Sequence, residues 1–298
     1  MSPREAPPAD WRVDDQLVRT LLREQLPQWA SQTLRFVGSG WDNVTWRLGD
    51  DLAVRVPRRQ VAAQLILNEQ RWVGEFAALL APLRVAEVVG RGVASELFAS
   101  PWSVVRWVDG EAALRRGAEL ADDLGLARQL GAVVGVLATS AAPPAAPMNP
   151  VRGVALSQRV PAFVARESVL RAAGEDWDAL DAVMDRGLRA AEFSGAPVWV
   201  HGDLHPGNVI VGPDNSLAGL IDFGDLCQGD PACDVALAWW LFDEAAREVF
   251  IAAAGVDTAT VDRARGWVAV IASAVIEASA AQLAAAARVA LARAASDL

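Results

Sequence analysis

Two short apolar runs, "VWV" at 198–200 and "GLI" at 219–221, interrupt the otherwise helical second half of the chain. Between them lies "HGDLHPGNVIVGPDNSLA". Brief apolar runs set among Gly, Pro, Asn and Asp predict strands joined by tight turns. A hairpin of strands 209–211 and 218–221 would bring Asp222 back beside Asn208. The chain has two histidines, His201 and His205, and both fall in this segment with Asp203 and Asn208. Two carboxylates and an amide oxygen around one point are hard oxygen donors. Such a set suits Mg²⁺, which takes its remaining ligands from water and phosphates. Asp203 is left to orient an incoming hydroxyl and accept its proton.

The first ~107 residues have a different texture. Leu17, Leu21, Leu22 and Leu26 recur at helical spacing within 14–30. Strands are expected at 34–38, 44–48 and 52–56, with a glycine turn at 38–43, a "GDD" turn, and Pro57 as the stop. A helix carrying Glu69 is expected over 61–80, and short strands after Pro82 lead to "PWSVVRWVDG". Beyond the junction near Val108–Gly110, helices are expected over 119–139, 157–193 and 231–298, the last with loops near Gly255. "AAPPAAPMNP" is a loop without periodicity. The expected organisation is a lobe at 1–107 and a second lobe at 108–298.

With 53% apolar residues, 298 residues can bury a large core. A net charge of −10 argues against nucleic acid as a partner, because that binding runs on a basic surface. No apolar run reaches the ~18 residues of a membrane span, and "MSPREAPPAD" has no apolar core of a signal peptide. Cys227 and Cys233 are expected as reduced thiols of a cytoplasmic protein. All 27 basic residues are Arg, so any role usually met by Lys must be met by Arg.

"HGDLHPGN" followed by "IDFGD" resembles the catalytic and metal loops of the aminoglycoside phosphotransferase family, relatives of the protein kinases. "GSGWDNVTWRLGDDLAVRVPRR", "SPWSVVRWVDGE" and "GDPACDVALAWW" also resemble that family, in the order its fold requires, and "RVPRR" is similar to the macrolide phosphotransferases. The resemblance spans roughly residues 35–245. It implies an α+β, bilobal protein-kinase-like fold: a small β-sheet lobe, then a larger, mostly helical one.

By position, the resemblance makes Asp203 the catalytic base, Asn208 and Asp222 the Mg²⁺ ligands, and Asp234 the carboxylate bracing the catalytic loop. His201 supports the loop from within. His205 stands where protein kinases place a Lys, and is expected to donate to the γ-phosphate. Ser39 of "VGSGWDN" is the expected phosphate contact, while Asp42 and Asn43 cap that turn. Arg55 replaces the usual Lys that pairs with the phosphates and with Glu69. The Arg106 carbonyl and Val108 amide are expected to face a purine. Asp225 is a candidate at the acceptor's mouth, with Asp243, Glu244 and Glu277 further acidic candidates.

The implied activity moves the γ-phosphate of ATP or GTP onto a hydroxyl of an aminoglycoside-type or related antibiotic. The alternatives are a kinase of an ordinary metabolite, such as choline, a sugar or an amino alcohol, and an inactive kinase-like binding module. The intact Asp203, Asn208 and Asp222 argue against the binding module. "GDLH" also resembles a metallophosphoesterase motif, but binuclear sites of that class require more than two histidines.

Overall fold

A computed structural model describes residues 8–278 and 281–297. The first seven residues, part of the stretch where no signal peptide is expected, lie outside the described residues. The chain forms two compact units. Of the described residues, one holds 8–109 together with Gly219–Asp225; the other holds Gly110–Ala218 and the chain from Leu226.

In the first unit, helix α1 (Asp15–Gln25) starts where the Asp14 carboxylate accepts the Leu17 N–H at 3.0 Å. It buries Val18, Leu21 and Leu22. Strands β1 (Leu34–Ser39), β2 (Asn43–Leu48) and β3 (Leu52–Pro57) follow, then α2 (Ala63–Leu80), β4 (Arg84–Val85), β5 (Val88–Gly92) and β6 (Trp102–Arg106). The antiparallel sheet has the order β1-β2-β3-β6-β5. Strand periodicity decides where Arg55 goes. Val54 and Val56 join the core that includes Val18, Leu21 and Trp46, whereas Ala53 packs with Ala86 and Val105. Arg55 therefore shares the face of Ala53. Helix α2 buries Ile66, Glu69, Val73 and Phe76, so its one buried carboxylate lies on its core stripe. Gly219 and Leu220 pair in parallel with β4, and the Phe223 ring meets Phe76 edge-on at 5.3 Å.

The second unit begins with β7 (Glu111–Ala112), α3 (Gly117–Leu120) and α4 (Leu124–Thr139). It continues through α5 (Val160–Val164), α6 (Glu167–Ala172), α7 (Trp177–Leu188), β8 (Val198–Val200) and β9 (Val209–Val211). Strand β10 (Leu217–Leu220) enters the first unit at Gly219, and β11 (Cys227–Gly229) follows it. Helices α8 (Ala232–Val235), α9 (Leu237–Leu241), α10 (Glu244–Ala254), α11 (Thr258–Ala278) and α12 (Ala281–Ser296) complete the chain. Trp239, Trp240 and Trp267 are buried. Among the described residues, no helix is long and apolar enough to cross a membrane.

Two sequence expectations need correction. Helix α4 starts at Leu124, not 119, because the Asp123 carboxylate caps it through the Leu126 N–H at 2.9 Å. The span 157–193 is a 3₁₀ turn and three short helices rather than one helical run. Pro161 opens α5, and Gly174, at φ 80°, ends the turn after α6.

Helices α4 and α10 approach closely because α4 presents glycine. A methyl group at Gly131 would collide with the Phe250 carbonyl oxygen, and one at Gly135 would sit 2.7 Å from the Ala254 oxygen. Gly131→Ala is expected to lower stability by about 1–3 kcal/mol through overpacking, outweighing the ~1 kcal/mol that Ala adds in helix propensity. A urea titration measures the difference.

Candidate active site

Strand β8 is held by β11, with Val200 opposite Cys227, and it delivers the segment His201–Asn208. Asp234, in the short helix α8, fixes the entry to that segment. Its two oxygens accept the His201 N–H at 2.6 Å and the Gly202 N–H at 3.0 Å. Burial pushes the Asp234 carboxyl up, while His201 and the two backbone amides hold it down. Gly202 takes φ 84°, a left-handed conformation that glycine adopts without Cβ strain. His201 is fully buried, and its Nδ1 accepts the Asp203 N–H at 3.3 Å.

Asp203 and Asn208 are joined directly. The Asn208 side-chain nitrogen donates to the Asp203 carbonyl at 2.9 Å and to its Oδ2 at 3.3 Å. With that nitrogen committed, Oδ1 is the end of the amide left for a cation. His205 Nδ1 accepts the Gly207 N–H at 3.0 Å, and its Nε2 lies 3.3 Å from the Asn208 side-chain nitrogen. Nε2 lies 3.6 Å from Asp203 Oδ2. Arg152 reaches Asp203 Oδ1 at 3.5 Å. Burial would raise the Asp203 pKa, but His205, Arg152 and His201 outweigh it and hold the carboxyl below the usual carboxylate range. Asp203 is therefore ionised at neutral pH and weakly basic, suited to orienting a hydroxyl rather than stripping it early.

The other predicted residues lie in the first unit. Arg55 divides its guanidinium: Nη1 donates to Glu69 Oε1, and Nη2 to Asp222 Oδ1 at 2.5 Å. Burial works against the Arg55 charge, yet the two carboxylates raise its pKa. Burial raises the pKa of Glu69, with Arg55 opposing. Glu69 Oε1 also accepts the Phe223 N–H at 3.3 Å, tying α2 to the residue after Asp222. Asp222 sits at φ 63°, an uncommon conformation for a non-glycine residue. Its neighbour Asp225 is half-buried.

Ser39 is exposed at the end of β1. The turn after it is closed by the Gly40 N–H on the Asn43 oxygen at 2.8 Å. It is braced by Arg58 on the Gly40 oxygen at 3.2 Å and by Arg59 on the Asp42 carboxylate at 3.0 Å. Arg106 N–H reaches the Glu87 oxygen and Trp107 N–H the Asp51 oxygen, both at 2.8 Å. Successive amides point to opposite sides, so the Arg106 carbonyl and Val108 amide share the side away from Asp51.

The phosphotransferase enzyme family (APH) matches residues 33–267 of this chain. The chain belongs to this family. It is a small-molecule phosphotransferase that acts on hydroxyl groups, with the kinase-like α+β fold the motifs imply. Among solved structures, the phosphotransferase is similar to aminoglycoside 2′-phosphotransferase-IIIa in its GDP complex. That likeness has a TM-score of 0.68 and 17% identity over 96% of this chain and 99% of that one. It is also similar to aminoglycoside phosphotransferase APH(3″)-Id from Streptomyces rimosus, with a TM-score of 0.56 and 21% identity over 87% and 98% of the two chains. A third is macrolide 2′-phosphotransferase MphH from Brachybacterium faecium, with a TM-score of 0.57 and 21% identity over 93% and 97%. A comparison with curated proteins found no match.

One residue at the site of this phosphotransferase, Arg152, carries no signal in the sequence. Arg152 lies in "MNPVRGVA", a stretch without motif or period, yet it touches Asp203. Two acidic candidates have structural partners: Asp243 caps α10 through the Ala246 N–H at 3.1 Å, and Glu277 pairs with Arg166 at 3.3 Å. Glu244 lies exposed in the first turn of α10.

Proposed function

We propose that the enzyme moves the γ-phosphate of ATP or GTP onto a small-molecule hydroxyl oriented by Asp203. The observation that carries this reading is the Asp203–Asn208 pair, a depressed carboxylate bonded to an amide whose oxygen is left for a cation. In this reading 1–107 is the nucleotide-binding lobe and 108–298 the catalytic and substrate-binding lobe. Asn208 and Asp222 hold Mg²⁺, and oxygen donors of this kind fit that cation. When bound, Mg²⁺ supplies charge neutralisation on the phosphate oxygens. Ser39 and Arg55 contact the phosphates, Glu69 holds Arg55, and the Arg106 carbonyl with the Val108 amide binds the purine. His205 donates to the γ-phosphate. No covalent intermediate is required; positioning and charge stabilisation lower the barrier. The protein is placed in the cytoplasm, with no nucleic acid and no membrane as partner.

The solved relatives include complexes with kanamycin and with streptomycin and ATP, and an aminoglycoside-type acceptor is the class that likeness favours. Asp225 would then stand at the acceptor's mouth. One feature of this chain favours the metabolite reading instead: the guanidinium of Arg152 on the base.

The test is nucleotide consumption by the purified protein, with and without Mg²⁺, across aminoglycosides, macrolides, amino alcohols, sugars and hydroxy acids. Consumption that requires both the cation and an acceptor supports the proposal. Its absence across the panel supports a binding module, and ester hydrolysis without nucleotide supports a hydrolase.

Arg55 gives a sharper prediction. A lysine has a single ammonium and cannot reach Glu69 and Asp222 as two arms of one fork. Arg55→Lys is expected to keep the Glu69 pair and lose the Asp222 arm, costing about 1–3 kcal/mol of stability. Transfer should persist with a raised KM for nucleotide. Calorimetry and a nucleotide titration read the two effects.

A further inference from the structure

Arg55 stands between two carboxylates of unequal exposure. Glu69, on α2, is fully buried. The side chain of Asp222, two residues past β10, is 46% exposed. All three residues belong to the first unit. Arg55 Nη1 donates to Glu69 Oε1, and Nη2 donates to Asp222 Oδ1 at 2.5 Å. Glu69 Oε1 is used twice, because it also accepts the Phe223 N–H at 3.3 Å. Glu69 Oε2 is shut off from solvent and, among the described residues, accepts no hydrogen bond.

An orphaned oxygen on a buried carboxylate is unfavourable. It persists here because the second arm of the guanidinium is committed to Asp222. A planar guanidinium can meet one carboxylate with two parallel hydrogen bonds. Turned side-on to Glu69, Arg55 would satisfy Oε2 and release Asp222 Oδ1. With five N–H donors, it would still have donors left for an anion. The same three side chains therefore have two arrangements, each with a different group left unsatisfied.

We propose that Arg55 is a two-position latch on Asp222: it bridges Glu69 and Asp222 in the nucleotide-free protein, and turns side-on to Glu69 when phosphates and a divalent cation arrive together. The proposal rests on the reading of Asp222 as a cation ligand and Arg55 as a phosphate contact, and it adds the order in which they act. Without phosphates, a cation at Asp222 must displace a charge-assisted hydrogen bond and stand beside a guanidinium of like charge. Phosphate oxygens offset both losses by accepting from the N–H groups withdrawn from Asp222. Cation and nucleotide therefore bind as a set, and the nucleotide-free enzyme takes up the cation poorly. A lysine cannot act in this way, because its single ammonium has no second arm.

The experiment titrates the purified full chain with Mn²⁺ and counts the free ion by electron paramagnetic resonance. Titrations are run nucleotide-free and with saturating ADP, with the Mn²⁺ held by ADP in buffer subtracted. Wild type is compared with Arg55→Lys, Asp222→Asn and the double variant, and circular dichroism checks that each is folded. Nucleotide-free, Arg55→Lys is expected to bind Mn²⁺ about tenfold or more tightly than wild type. The double variant should lose that gain. With ADP present, the affinities of wild type and Arg55→Lys should converge, because the phosphates have already drawn the arm away.

Wild-type protein that binds Mn²⁺ equally well with and without ADP would overturn the latch, whatever the variants do. So would an Arg55→Lys gain that is absent, or one of equal size in the ADP complex, as a general loosening of the site would produce. If Asp222→Asn binds Mn²⁺ in the ADP complex as wild type does, Asp222 is not a cation ligand and the latch falls with that reading. If Asp222→Asn loses Mn²⁺ in the ADP complex while Arg55→Lys changes nothing, the cation reading stands and the latch alone falls.

Discussion

Asp203→Asn is expected to lower kcat for phosphoryl transfer about 10²–10⁴-fold, the usual effect of removing a positioned general base. Nucleotide affinity should be unchanged. The substitution is nearly isosteric and leaves one tie of the loop in place, since Asn208 donates to the Asp203 backbone carbonyl at 2.9 Å. The bracing by Asp234 acts on the His201 and Gly202 amides and is also untouched. What disappears is the negative charge held by His205 and Arg152, and with it the acceptor for the substrate's hydroxyl proton. A carboxylate with so depressed a pKa is a poor base in the ground state. Its value lies in orientation, and in receiving the proton late, when the bond to phosphorus has begun to form. Single-turnover kinetics with saturating nucleotide separates the chemical step from binding. If Asp203→Asn turned over at the wild-type rate, Asp203 would not be the base.

What the sequence made legible was local. The Asp203–Asn208 motif spans six residues, and its shape is set by Pro206 and Gly207 within it and by Gly202 just before it. The strands of the first unit announce themselves by alternation and turn residues, and β1, β2 and β3 begin within one residue of their expected starts. Arg55 and Glu69 could be named because β3 and α2 lie close in the chain and the family resemblance orders them.

The interactions that failed to show were the ones that need the whole chain folded. Arg152 meets Asp203 across 51 residues, and nothing around it distinguishes it from the other 26 arginines. Helix boundaries between 157 and 193 went astray for a related reason. Apolar spacing persists through Pro161 and Gly174, and only the backbone shows where hydrogen bonding stops.

The largest stability effect is expected at a pair the sequence left invisible, Asp230 and Arg263. Both are nearly fully buried. Arg263 Nε donates to Asp230 Oδ2 at 2.7 Å and Nη2 to Oδ1 at 3.1 Å. Its remaining donors reach the Ala191 carbonyl at 2.8 Å and the Thr260 hydroxyl at 3.0 Å. Every arm of the guanidinium is satisfied, which is the condition under which a buried ion pair holds. Asp230 also carries the local architecture: Oδ1 accepts the Ala232 N–H at the start of α8, and its own N–H donates to the Gly153 carbonyl. Asp230 therefore links α11 both to the helix that holds Asp234 and to the residue beside Arg152. Asp230→Asn keeps much of the hydrogen bonding but strands a buried cation, and is expected to cost about 3–5 kcal/mol. That corresponds to a fall in Tm of about 6–20 °C. Arg263→Met should cost a similar amount by stranding the carboxylate. The double variant should lose less than the two single losses added together, because neither charge is then left alone. Differential scanning calorimetry of the four proteins measures the coupling. An Asp230→Asn variant that melts with the wild type would show that the pair contributes nothing to holding α8 and α11 together.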